Sequence, residues 1–112
     1  HLTMFHALPP TCEEEARRIL AHHAAEPKPR TTVAGLMNLG RGVAYRIVSD
    51  DLQAIRNSIA DHFHGLLTIQ DAQGWRPHVT IMNKAEPSAA KALLRELEAS
   101  FQPRPLAVVG LA

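Results

Sequence analysis

At 112 residues the chain is long enough for one domain with a single modest core. A net charge of +1 argues against a broad electrostatic nucleic-acid binder, while leaving room for a local phosphate pocket. A single cysteine, Cys12, excludes an internal disulfide, and no apolar run approaches the ~18 residues of a membrane span.

Residues 1–8 read as a strand that Pro9-Pro10 ends. Thr11-x-x-Glu14 fits a capping box, and Glu13 and Glu15 suit a helix N-terminus, so a helix is predicted over 13–25 with Ala16, Ile19 and Leu20 on its apolar stripe. Pro27-Lys28-Pro29 is a loop rather than a domain boundary. Strands are predicted over 31–39 and 43–48, joined at Gly40-Arg41-Gly42 as a hairpin. Asp50 or Asp51 is the expected cap of a helix with Leu52, Ile55, Ile59 and Phe63 spaced by three and four, and Gly65 ends it. Residues 66–69 read as extended, 70–77 as a loop and 78–83 as a strand. A helix follows from Pro87 or Ser88, with Ala92, Leu93, Leu94 and Leu97 predicted to be buried, and 105–112 is the last strand. This order predicts an α+β fold, with helices outside and antiparallel or mixed sheets lining a central cleft.

Two His-x-Thr-x tetrapeptides carry the chemistry: His1-Leu2-Thr3-Met4 and His78-Val79-Thr80-Ile81. On a strand, His and Thr share one face and the apolar pair backs them. Even two such matches are unremarkable as a count in a chain with 7 His. The context is repeated, however. Each motif is followed by a helical stretch, a Pro-containing loop, an apolar strand and Gly-Leu, ending at Gly35-Leu36 and Gly110-Leu111. The reading is therefore a single domain over 1–112 built from two units, about 1–36 and 78–111, related by a pseudo-twofold that brings the motifs together.

Two imidazoles titrating near neutrality can serve as acid and base, and two hydroxyls can bind the non-bridging oxygens of a phosphate. His1 and His78 are accordingly the candidate catalytic groups, with Thr3 and Thr80 as substrate ligands. Pro77 biases Arg76 toward extended backbone, from which its guanidinium can fork onto a phosphate; Lys84 and Arg46 are weaker candidates, read first as solvated charges. Trp75 is the better base-stacking candidate beside Tyr45 and Phe5, and Phe5 reads as core. His22-His23 and His62-x-His64 lack ligand spacing and read as surface histidines, so no metal and no cofactor are expected. Cys12 falls in a first helical turn, where a thiolate is favoured, but the chemistry already has two better candidates.

The residues His1-Leu2-Thr3-Met4-Phe5 with Leu8-Pro9-Pro10, and Trp75-Arg76-Pro77-His78-Val79-Thr80-Ile81, resemble the 2H phosphoesterase superfamily, which contains bacterial 2′-5′ RNA ligases and cyclic phosphodiesterases. The resemblance implies hydrolysis of a 2′,3′-cyclic phosphate or a 2′-5′ phosphodiester of an RNA end or nucleotide. It gives His78 the activation of water and His1 the protonation of the departing ribose oxygen, without a metal. The alternatives are 2′-5′ ligation and a non-catalytic module that binds RNA ends. It also implies a chain trimmed at both ends, since relatives carry strand before the first motif and after the second half. A cytoplasmic monomer, with no membrane partner, is the expected setting.

Overall fold

Thr32–Asn38 and Val43–Val48 are rich in apolar and β-branched residues, and in the computed structural model, which describes residues 1–112, they form an antiparallel hairpin, β1 and β2. His78–Met82 (β3) pairs with β2, and the two-residue strand Arg104–Pro105 (β4) pairs with β1. The sheet order is β3-β2-β1-β4, antiparallel throughout. The helices are α1 (Glu13–Ala24), α2 (Asp50–His62), α3 (Ile69–Ala72) and α4 (Pro87–Glu98), with a 3₁₀ turn at Pro10–Cys12. The fold is α+β, and no helix is long and apolar enough to cross a membrane.

The chain divides into two compact units. The first comprises His1–Thr3, Thr32–Val48 and Arg76–Leu106, and so holds the whole sheet and α4. Its buried hydrophobic residues are Val33, Val43, Ala44 and Ile47 on the strands and Ala90 on α4, which packs on β1 and β2. Half-buried Leu93, Leu94 and Leu97 continue the stripe from Ala90 at helical spacing, whereas Ala92, predicted to be buried, points outward. Two glycines make the hairpin possible. Gly40 has φ +83°, and its N–H is held by Asn38 Oδ1 at 2.7 Å. A Cβ on Gly42 would lie 2.1 Å from the Met82 carbonyl oxygen, so only glycine lets the end of β3 approach this closely.

The second unit comprises Met4–Thr31, Ser49–Trp75 and Ala107–Ala112. Here α1 packs on α2 around Cys12, Ile59 and Phe63, with Met4, Phe5, Leu8, Ile19 and Ile55 against them. Ser49 caps α2: its hydroxyl accepts the Leu52 N–H at 3.0 Å and donates to the Arg30 carbonyl at 2.7 Å. Asp50 and Asp51, the expected caps, occupy the first turn instead, where the helix dipole favours carboxylates. The predicted capping box at Thr11 does not form either. The 3₁₀ turn places Cys12 at the N-cap of α1, and no side chain bonds the exposed amides there.

Three predicted strands are corrected. Residues 1–8 form no strand, because the amides of His6 and Ala7 donate to the Asp71 carboxylate at 2.7 and 2.8 Å rather than to a ladder. Residues 66–69 are not extended: Thr68 caps α3 by accepting the Asp71 N–H at 3.2 Å, and Ile69 is left exposed. In place of a strand over 105–112 there is only the short β4, since Pro105 has no N–H to donate and Ala107–Ala112 fall in the other unit. The predicted duplication would put both motifs on strands of matching units. The structure puts one on β3 and the other on a segment outside the single sheet.

Candidate active site

Pairing across the sheet places the second motif within defined rows. His78 lies opposite Arg46, which lies opposite Gly35; Thr80 lies opposite Ala44, which lies opposite Met37. Residues paired in this way project to one face. His78, Thr80 and Arg46 therefore share a face, with Thr80 and Arg46 exposed and His78 half-buried. The row between carries Val79, Tyr45 and Leu36 to the opposite face. Tyr45 thus points away from His78, under the guanidinium of Arg104 at 5.1 Å.

His78 Nδ1 lies 2.8 Å from the Arg76 carbonyl oxygen. A carbonyl only accepts, so Nδ1 donates, and this assigns the ring proton. In the neutral ring Nε2 then carries the lone pair, the arrangement a general base requires. Pro77 secures the approach to β3, with its carbonyl accepting the Ile47 N–H at 3.0 Å. The exposed Arg76 thus holds the imidazole through its backbone and leaves its guanidinium to reach outward.

The first motif is placed differently. His1 and Thr3 are exposed while Leu2 and Met4 are half-buried, so the alternation of the sequence survives without a strand. His1–Thr3 belongs to the same compact unit as β3. Immediately beyond it the chain enters the helical unit, where Asp71, 1 % exposed, takes the two amides of His6 and Ala7. Arg56 donates from Nη2 to the Asp71 carbonyl and lies 4.7 Å over the Phe5 ring. Sequence reasoning missed this Asp71–Arg56 anchor. Its only legible sign is an arginine on the apolar stripe of α2, four residues after Leu52 and three before Ile59.

The remaining candidates lie elsewhere. Lys84 is exposed in the loop after β3, at φ +53°. Trp75 is half-buried just before Arg76. Cys12 is core, and Phe5 packs against the same cluster. His23 pairs with Glu26 at 2.8 Å and His62 with Glu15 at 3.3 Å, and no group of three or more His, Cys, Asp or Glu converges to hold a metal ion.

With this geometry in place, comparison with known families gives one match. The chain matches the 2′-5′ RNA ligase superfamily over residues 1–112. It belongs to that superfamily, which is the 2H phosphoesterase superfamily, a generally enzymatic group of phosphoesterases and ligases acting on RNA or nucleotide substrates. Searches of curated proteins and of solved structures give no match.

Proposed function

We propose that the protein is a two-histidine phosphoesterase that opens 2′,3′-cyclic phosphates, or cleaves 2′-5′ phosphodiesters, of RNA ends or nucleotides. The observation that carries this reading is the His78 side chain: Nδ1 is engaged by the Arg76 carbonyl, Nε2 is left for proton transfer, and Thr80 stands two residues along on the same face. In the proposed step Nε2 of His78 takes a proton from water as the water oxygen bonds to phosphorus. The bond from phosphorus to one ribose oxygen breaks, and His1 delivers a proton to that oxygen. The hydroxyls of Thr3 and Thr80 and the guanidinium of Arg76 hold the non-bridging oxygens as negative charge builds on them. With the 5′-hydroxyl of a second RNA end in place of water, His78 takes the hydroxyl proton as its oxygen bonds to phosphorus, the bond to the 3′-oxygen breaks and His1 protonates that oxygen, so the same groups perform 2′-5′ ligation.

The test is turnover of a 2′,3′-cyclic nucleotide by the full-length protein before and after exhaustive chelation. The expected result is hydrolysis that survives EDTA. Activity lost to EDTA and restored by a divalent ion overturns the metal-free mechanism. Tight binding of a phosphorylated RNA end without turnover of cyclic or 2′-5′-linked substrates replaces the enzyme with a binding module.

A further inference from the structure

We infer that Arg46 forms a second phosphate site on the face that carries His78 and Thr80, and that this site selects oligonucleotide ends over mononucleotides. The inference rests on the reading of His78 as part of a phosphoesterase site and adds a substrate preference to it.

The argument starts from register. Arg46 lies opposite His78 on one side and Gly35 on the other. Its guanidinium does not turn toward the imidazole. Nη2 donates to the Ala34 carbonyl at 3.3 Å, and a Cβ on Gly35 would meet Nη2 at 3.1 Å and Nε at 3.2 Å. Two features of β1 allow this pose: the register shift between Val33 and Gly35, which makes Ala34 the extra residue, and the missing side chain at Gly35. The cation therefore lies over β1, two strands from β3.

Adjacent strands are about 4.8 Å apart, so the guanidinium and the imidazole stand on the order of 10 Å from each other. The imidazole is tied back to its own strand by the Arg76 carbonyl. Charge-assisted hydrogen bonds run about 2.7–2.9 Å. One phosphate does not bridge that gap. Arg46 is exposed, and no carboxylate pairs with it. A guanidinium has five N–H donors, and Ala34 takes one. An exposed cation without a counter-ion, beside but out of reach of the phosphate at His78, fits the phosphate of a neighbouring nucleotide on the same strand.

The experiment compares two substrates of the full-length protein: a 2′,3′-cyclic mononucleotide, and a short oligoribonucleotide ending in the same cyclic phosphate. Arg46→Ala is expected to lower kcat/KM for the oligonucleotide about tenfold, the worth of one charge-assisted contact, and to change the mononucleotide value less than about twofold. Arg46→Lys is expected to recover part of the loss. Gly35→Ala crowds the guanidinium without removing its charge and is expected to act in the same direction. A parallel measurement follows the affinity of an oligoribonucleotide ending in a 3′-phosphate against salt. There Arg46→Ala should reduce the slope of log affinity on log salt by about 0.7, one single-strand phosphate contact. Equal losses on both substrates, or none on either, overturn the second site. If the wild type turns over neither cyclic substrate, the phosphoesterase reading fails, and the salt slope still decides whether Arg46 holds a phosphate.

Discussion

The two His-x-Thr segments are near copies in sequence and opposites in how they are held. His78–Met82 is bound along its length by β2, with register that fixes which side chains share a face and a carbonyl that fixes the imidazole tautomer. The first motif has no ladder. The segment just beyond it is held by one buried carboxylate, Asp71, at the amides of His6 and Ala7. One His-x-Thr motif thus lies on a sheet strand, while the chain that follows the other is tied by a side-chain carboxylate. The difference is in vulnerability: many backbone bonds share the load on β3, whereas beyond the first motif one carboxylate takes the amides of His6 and Ala7 and the packing of Met4, Phe5 and Leu8 supplies the rest.

Substituting the histidines gives the largest expected effect, and it probes whether the two segments act as one site. His1→Ala and His78→Ala in the full-length protein should each lower turnover about 10³-fold, within the range for loss of a general acid or base. The double variant should be little worse than the worse single, because both groups serve one step. The wild-type rate should follow a bell-shaped pH profile set by the pair. Full turnover after either substitution breaks the comparison at its root.

The next effect belongs to the anchor alone. Asp71→Ala removes the acceptor of two amides and one partner of a region that also buries Arg56. Hydrogen bonds to charged groups contribute about 1.5–3 kcal/mol each, so a loss of about 3 kcal/mol in urea unfolding is expected. Amide exchange should rise at His6 and Ala7 while the amides of β3 keep their protection. A variant within about 0.5 kcal/mol of wild type would show that Asp71 does not carry the segment.

What the sequence made legible follows the same division. The hairpin, β3, α1, α2 and α4 were readable because their signals are local: glycines at 40 and 42, apolar spacing of three and four, and alternation at 78–81. The failed strand over 1–8 shows the limit of alternation. His1 and Thr3 do stand out while Leu2 and Met4 turn in, but a strand also needs a neighbour, and the amides of 6 and 7 find a carboxylate 64 and 65 residues away. No local pattern announces that partner. Arg46 shows a related limit: its place opposite His78 is a property of register, which the chain reveals only once β2 and β3 are aligned. Ala92 lies off the buried stripe, which runs from Ala90 two residues earlier through Leu93, Leu94 and Leu97.

A smaller effect tests the sheet side of the comparison. Gly42→Ala puts a methyl 2.1 Å from the Met82 carbonyl, which forces the hairpin and the end of β3 apart. Overpacking of this kind costs about 1–3 kcal/mol. The loss should appear in thermal unfolding and in faster exchange of the β3 amides, with His6 and Ala7 unaffected. It is the mirror image of the Asp71 result, and unchanged β3 protection would show that close approach at Gly42 does not set the strand's position.

The smallest effect sharpens the anchor side. Asp71 is presented by α3, only four residues long, and Thr68 caps that helix through the Asp71 amide at 3.2 Å. An isolated turn of helix has little stability of its own, so its cap and its tertiary contacts decide whether it persists. Thr68→Ala should therefore cost about 1 kcal/mol, the usual price of a lost N-cap. The carboxylate itself remains, so its bonds to His6 and Ala7 should weaken rather than vanish. Exchange at those two amides should rise above wild type but stay below Asp71→Ala, and β3 should not respond. If Thr68→Ala left both amides at wild-type protection, the carboxylate would hold the segment without help from its helix, and the anchor would reduce to Asp71 and Arg56 alone.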